Sequence, residues 1–253
     1  MSPALEWNAG AYDRLAGLPH DAWAEQILDR LALRGDETVL DAGCGTGRML
    51  ARVRERYPEA RLIGVDASQA MLDRARENLG AQVQLVRSDL LELEVDAPAD
   101  VVVSNAVFHW VPDHPRLFAR VHAALRPGGR LEAQCGGQGN VAEVERAVEA
   151  LAGDERFAPY LRTERRAWNY ASVGDTELRL ERAGFTPARA WAEPWPVTPR
   201  DARSYLATVI LPWHLDRLPE DLHEEFLAAV IGSSPRPFVA NYVRLNISAV
   251  RPE

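Results

Sequence analysis

Residues Val39 to Leu50 read VLDAGCGTGRML: a short apolar strand closing on an acid, Asp41, then glycine at every second position, then the start of a helix. Glycine has no Cβ and enters positive φ freely, so a strand that runs into such a turn brings its backbone close to a polar ligand. The glycines are Gly43, Gly45 and Gly47. A dinucleotide fingerprint needs its third glycine where Arg48 or Leu50 stands, so the G-x-G-x-x-G register fails and NAD is not the expected ligand. An acid at the strand end suits a ligand with a positively charged amino group, which a pyrophosphate lacks.

Outward from this turn, strand and helix alternate. Ala22 to Leu33 carries Trp23, Ile27, Leu28 and Leu31 at helical spacing. A helix over Arg48 to Tyr57 stops at Pro58, and the strand Leu62 to Asp66 follows. Then come a helix from Ser68 to Leu79, the strand Val83 to Asp89, the strand ADVVVSNAV from Ala99, a helix from about His114 to Leu125, and PGGRLEAQ from Pro127. Steps of this length make right-handed crossovers and a parallel, doubly wound sheet. Asp41, Asp66, Asp89 and Asn105 all fall on its C-terminal edge, where such sheets bind ligands.

Beyond Gly136 the pattern loosens. Helices are expected at Asn140 to Leu151 and at Val173 to Ala183, and TPARAWAEPW reads as an edge strand ended by its prolines. Two helical stretches between Thr198 and Ile231 break near Pro212 and Pro219, and FVANYVRLNISAV closes the chain as an alternating strand. The fold class expected is therefore α/β: a Rossmann-like, doubly wound, seven-stranded sheet, mostly parallel with an antiparallel last strand, plus a helical cap.

The chain has 253 residues, enough for one such domain with insertions. Its 29 basic and 37 acidic residues give a formal charge of -8, which argues against a general nucleic-acid or anionic-membrane surface. Every basic residue is arginine. Cys44 and Cys135 are the only cysteines, and neither a signal-peptide pattern nor a run of membrane-spanning length is present, so a cytoplasmic location is expected. Cys44 reads as a small spacer inside the turn, and no Cys/His spacing suggests a metal.

The acid and glycine string resembles motif I of the class I S-adenosylmethionine (SAM) methyltransferases, and further motifs in the same order strengthen the resemblance. GVDAS looks like the family's second strand, which implies that Asp66 accepts bonds from the ribose hydroxyls, with Ala67 beside it. A carboxylate suits two neighbouring hydroxyls because it only accepts. Met71 is placed against the adenine face, Asp89 and the Leu90 N–H at the adenine edge, and Asn105 near the methionine amino group; PGGRL is structural. The resemblance makes Asp41, Gly43, Gly45 and Gly47 cofactor-binding too, and SAM the cofactor. It divides the chain into a lid and helix at 1–35, a SAM-binding core at 36–138, and the remaining sheet with acceptor-side insertions at 139–253, the cap lying at about 198–232.

FHWVPDH, Phe108 to His114, resembles a segment of carboxyl-methylating small-molecule enzymes of the trans-aconitate and juvenile hormone acid methyltransferase groups, with His109 where the trans-aconitate pattern has glutamine. EWNAGAY resembles the entry of the former group and makes Trp7 and Tyr12 lid residues near the acceptor. Phe108, His109, Arg162 and Trp213 are further acceptor-side candidates, and Trp110 reads as a buried anchor. Arg165, Arg166, Trp168 and Tyr170 are grouped with Arg162 as lining for an anionic, partly aromatic pocket, and Leu211 and His214 belong with Trp213 in the cap. Methyl transfer from a sulfonium is an in-line displacement that needs orientation and a dry site. A carboxylate attacks as it stands, whereas a hydroxyl or ammonium must first lose a proton. The leading expectation is a SAM-dependent methyltransferase acting on the carboxylate of a small organic acid. The alternatives are O-, N- or C-methylation of an aromatic or natural-product acceptor with His109 as base, and a SAM-binding protein without turnover.

Overall fold

The structure is a computed structural model that describes residues 22–162 and 167–253. Its single sheet runs in the order β3-β2-β1-β4-β5-β7-β6. The strands are β1 (Thr38–Ala42), β2 (Arg61–Asp66), β3 (Gln84–Arg87), β4 (Ala99–Asn105), β5 (Leu125–Gly136), β6 (Ala188–Val197) and β7 (Ala240–Val250). The first five are mutually parallel, and β7 is antiparallel to both β5 and β6. A parallel strand covered on both faces needs an unbroken apolar run. Val101, Val102 and Val103 in β4 meet that need and are fully buried.

From β1 the chain builds outward through β2 and β3, then returns to the other side of β1 as β4. This reversal opens a crevice beyond the C-terminal ends of β1 and β4, the usual binding place in such sheets. The connecting helices are α2 (Arg48–Arg56), α3 (Gln69–Leu79) and α4 (His114–Ala124), preceded by α1 through residues 22–31. Ser68 caps α3 by accepting from the Met71 N–H, and Asp113 caps α4 by accepting from Arg116. Both caps fix where the chain leaves the sheet edge and turns into a helix.

The antiparallel half has two unlike faces. Leu245, Ile247 and Ala249 of β7 enter the main core, while the alternate residues Tyr242, Arg244 and Asn246 face the other way. That second face is not solvated. Helix α1 covers it, with Arg30 Nε on Glu132 at 2.8 Å, and Gln134 bonded to both Gln26 and Asn246. Strand β6 continues through Pro194 and Pro196 to Val197 instead of ending at them. It is the edge strand, where a proline's missing donor costs little. Between β6 and β7 the chain forms α8 (Ala202–Tyr205), a π-helical turn (Leu206–Ile210), α9 (Pro212–Leu215) and α10 (Glu220–Gly232). With α5 (Ala142–Leu151), α6 (Ala158–Leu161) and Trp23 these elements share one apolar cluster, the core of the cap. Helix α7 (Val173–Arg182) packs against β6 on the sheet side. Among the described residues no helix is long and apolar enough to cross a membrane.

Candidate cofactor and acceptor site

The crevice between β1 and β4 is a cavity lined by Asp41, Gly43, Gly45, Asp66, Ala67, Met71, Asp89, Leu90 and Asn105, together with Trp110 and Trp213. Nine residues expected at the cofactor thus meet in one place. Gly47 does not line it. It is the left-handed N-cap of α2, and a Cβ there would strike the Leu79 side chain at 2.5 Å, so close helix packing requires the glycine.

The glycine turn is not an anion cradle. Gly43 and Cys44 donate their N–H groups to the Val65 carbonyl at 2.8 and 2.9 Å, Gly47 donates to Cys44, and Gly45 donates to Asp66 Oδ2 at 2.9 Å. These donors are consumed in folding the turn over β2. A phosphate loop would aim them at its ligand.

Three acids mark the cavity, each held differently. Asp66 accepts from Gly45 through one oxygen and from the Ser68 N–H through the other, at 2.9 Å each. Its carboxylate therefore ties the β1 turn to the start of α3. Asp89 is exposed and accepts from the Leu91 N–H, which caps the 3-10 turn Leu90–Glu92. Asp41 is 1% exposed, and its Oδ2 has no hydrogen-bond partner among the described residues. Burial, and then the neighbouring Asp66, push its acid up to about 8. Burial and the same two acids hold the Cys44 thiol protonated, consistent with a spacer.

A second, smaller cavity adjoins the first, sharing Ala106 and Trp110 as walls. Ala106 takes φ +63 as the chain leaves β4, a left-handed turn that sends the next residues between the two cavities. Trp110 is half-buried and lines both, so it is a wall of the site as well as a packing residue. His109, 8% exposed, lines the second cavity; its Nδ1 accepts the Gly136 N–H at 3.2 Å, and its ring lies 5.7 Å from that of Tyr170. Trp168 and Tyr170 line it as expected and stack on each other. Asn140 accepts the Val243 N–H and hydrogen-bonds the Tyr170 hydroxyl.

Two expected acceptor residues lie elsewhere. Phe108 is 1% exposed and packs edge-on against Phe118 in the main core, because the 3-10 turn Phe108–Trp110 turns it inward while His109 and Trp110 face the cavities. Arg162 is an exposed residue whose Nε donates to the Ala152 carbonyl. Leu211 and His214 belong to the cap core. Trp7, Tyr12, Arg165 and Arg166 lie outside the described residues. Sequence reasoning missed Trp23, Asn140, Tyr242 and Arg244, all of which line the second cavity. The one available signal was an arginine and a tyrosine on the polar face of an alternating strand, beside Asn246 and Ser248.

The first cavity fits SAM on two observations. A buried carboxylate oxygen without a partner among the described residues suits the methionine ammonium. Gly45 lines the cavity, and nothing lies within 4 Å of the place a Cβ would take, which leaves room for a ligand against the backbone. Residues 39–129 match the family model described as a methyltransferase domain. The chain is 33% identical over 219 residues to the trans-aconitate 2-methyltransferase of Azoarcus sp. (strain BH72), covering 81% of each chain. It is 30% identical over 240 residues to that of Variovorax paradoxus (strain S110), covering 88% of this chain and 87% of the relative. Among solved structures, phosphoethanolamine N-methyltransferase 2 of Haemonchus contortus in complex with SAM superposes with a TM-score of 0.61 at 20% identity, over 97% of this chain and 57% of that one. The YcgJ protein of Bacillus subtilis gives 0.63 at 15% identity, over 92% of this chain and all of that one. The chain is a SAM-dependent methyltransferase of class I, and it belongs to the family that contains the trans-aconitate 2-methyltransferases.

Proposed function

We propose that the enzyme methylates the carboxylate of a small organic acid, with the cofactor in the first cavity and the acceptor entering the second. The observation that carries this reading is the state of His109. A neutral imidazole has one nitrogen lone pair. That of His109 is on Nδ1 and receives the Gly136 N–H, which leaves the proton to Nε2. A histidine in this tautomer orients a carboxylate and has no lone pair left to deprotonate a hydroxyl. Among the described residues that line the second cavity none is a carboxylate, and burial raises the Tyr170 hydroxyl far above its ordinary range. The reaction this cavity suits is one that needs no base, and the relatives' printed name, trans-aconitate 2-methyltransferase, agrees with that choice.

SAM supplies an already activated methyl group when bound. In our reading Asp41 holds its ammonium, Asp66 the ribose hydroxyls, Ala67, Met71, Asp89 and Leu90 the adenine, and Asn105 the amino-acid end, while Gly43 and Gly45 keep the backbone close. Trp110 and Trp213 shield the transfer from water. Residues 36–138 then serve as the SAM-binding core and 139–253 as the acceptor side. Two buried, unpaired cysteines agree with a reducing cytoplasm.

The test is His109→Gln. Glutamine still donates a hydrogen bond, so kcat stays within about threefold and the change falls on KM. A kcat loss of about 10²–10⁴-fold, with a wild-type rate that rises through an apparent pKa near 6–7, would establish His109 as a base and overturn the carboxylate reading. A second expectation concerns Asp66. Asp66→Ala weakens SAM by roughly 1.5–3 kcal/mol in calorimetry. Because the same carboxylate ties Gly45 to Ser68, the ligand-free melting temperature also falls by a few degrees. A purely ligand-binding acid would leave it unchanged.

A further inference from the structure

Asn169 makes three hydrogen bonds to the segment that carries the walls of both cavities. Its N–H donates to the His109 carbonyl at 2.8 Å, and its Nδ2 donates to the carbonyls of Val111 at 3.3 Å and Pro112 at 3.0 Å. A side-chain amide nitrogen has two protons, so both are used, and the two facing carbonyls fix which end of the side chain is the nitrogen. The residues gripped in this way meet at the junction of the cavities. His109 lines the second, Val111 and Pro112 line the first, and Trp110 between them lines both. Asn169 stands behind these walls, half-buried, on a segment that is itself anchored: the Gln138 N–H donates to the Ala171 carbonyl at 2.9 Å, and Ser172 caps α7. The opposite side of the turn is held by His114, whose Nδ1 faces the Arg179 guanidinium at 3.2 Å, so that Nε2 donates to the Phe108 carbonyl at 3.0 Å.

We propose that Asn169 is a positioning residue for methyl transfer, which sets the wall shared by the two cavities without touching either ligand. The proposal rests on the acceptor entering the second cavity, and not on which group of the acceptor is methylated. An in-line displacement needs the attacking atom on the axis of the bond that breaks, and a misplacement of about 1 Å costs on the order of 100-fold in rate. The wall between donor and acceptor therefore has to be still. The 3-10 turn Phe108–Trp110 closes through two bonds of its own, from the Trp110 N–H to Val107 and from the Val111 N–H to Phe108, and 3-10 bonding is poorly aligned. Asn169 supplies what the turn lacks, because it holds the carbonyl before Trp110 and the carbonyl after it. Its neighbours Ala167, Trp168 and Tyr170 are walls too, the first of the cofactor cavity and the others of the acceptor cavity. The same three bonds thus join both sets of walls into one piece. The acids expected at SAM stand on other elements, Asp41 and Asp66 on β1 and β2 and Asp89 beyond β3, so loss of Asn169 acts on the rate and spares cofactor binding.

The test uses Asn169→Ala and Asn169→Asp, the second of which keeps the shape and turns an oxygen toward the two carbonyls in place of a donor. With labelled SAM and a panel of small acids and phenols, at a temperature where the variants are folded, kcat falls about 30–100-fold while SAM affinity stays within about threefold. Asn169→Asp loses at least as much as Asn169→Ala. Hydrogen exchange reads the positioning with no acceptor present: the amides of Trp110, Val111 and Gly136 exchange about tenfold faster or more in the variants, and that of Ala51 in α2 does not change. In wild type the same three amides are protected by about 100-fold or more relative to an unstructured chain, a measurement that needs no variant to fold. Unprotected amides in wild type, or folded variants whose exchange at these positions is unchanged, overturn the proposal. So does a lower melting temperature with kcat intact, which would make Asn169 a packing residue only. Turnover of phenols alone overturns the carboxylate reading and leaves the role of Asn169 to the same kcat and exchange measurements.

Discussion

Asp41→Asn is expected to abolish useful SAM binding while raising the melting temperature of the ligand-free protein. The two effects share one cause. Asp41 is buried, its Oδ2 has no partner among the described residues, and burial with Asp66 beside it lifts its acid to about 8 from an ordinary 3.8. The folded chain therefore holds this proton between those two values while the unfolded chain releases it. Folding takes up a proton in that window, so the contribution of Asp41 to stability is lost as pH rises from about 4 to about 8, by at most about 1.4 kcal/mol per pH unit, and is constant outside it. Asparagine has the same shape and no proton to lose. The difference in melting temperature between Asp41→Asn and wild type should be small at pH 4 and grow to several degrees by pH 8. In the proposed binding mode SAM would set its ammonium against Asp41 and restore the ionised carboxylate. Binding near pH 7 should release a proton, seen as a calorimetric enthalpy that varies with the ionisation heat of the buffer, and Asp41→Asn should weaken SAM by about 10²–10³-fold. A melting-temperature difference that does not change with pH would show that Asp41 is ionised in the ligand-free protein and that the cavity is not poised for a cation in this way.

The legible part of the molecule is the part written in local pattern. Apolar runs, the helix stop at Pro58, and acids at strand ends placed five parallel strands in order, and with them the edge on which Asp41, Asp66, Asp89 and Asn105 lie. Even there a resemblance does not tell a ligand contact from a packing residue. Gly47 has the same spacing as its neighbours, yet its space is taken by Leu79. The acceptor side is less legible because its residues meet only through tertiary contact. Phe108, His109 and Trp110 are adjacent in sequence, and a single 3-10 turn sends the first to the core and the others to the cavities. Arg162 stood out within a cluster of arginines and is a surface residue, whereas Arg244 sits alone in a strand whose alternation implied a solvated face. Helix α1, more than 200 residues earlier, covers that face and puts Trp23 on the guanidinium. Sequence spacing carries no information about such a pairing.

The two glycines that open the turn are expected to fail differently when substituted. Both take positive φ, +85 at Gly43 and +52 at Gly45, so any L-residue at either position costs roughly 1–2 kcal/mol in the backbone alone. At Gly45 nothing lies within 4 Å of the added Cβ. Gly45→Leu should therefore fold with only a modest fall in melting temperature while its side chain occupies the cavity, lowering SAM affinity by about 100-fold or more. At Gly43 the added Cβ would lie 2.4 Å from a Val107 methyl and 2.9 Å from its Cβ. Val107 follows Ala106 in the turn that leads to the walls of both cavities, so it has little freedom to move aside. Gly43→Ala should lose a further 1–3 kcal/mol or so to overpacking. Val107→Ala removes the atoms that clash, so the double variant Gly43→Ala/Val107→Ala should recover most of that extra loss, a coupling of about 1–3 kcal/mol in a thermal or urea double-mutant cycle. Additive losses would mean that Val107 yields freely and that Gly43 is required by its φ alone. A Gly45→Leu protein that binds SAM as wild type does would remove Gly45 from the cofactor wall.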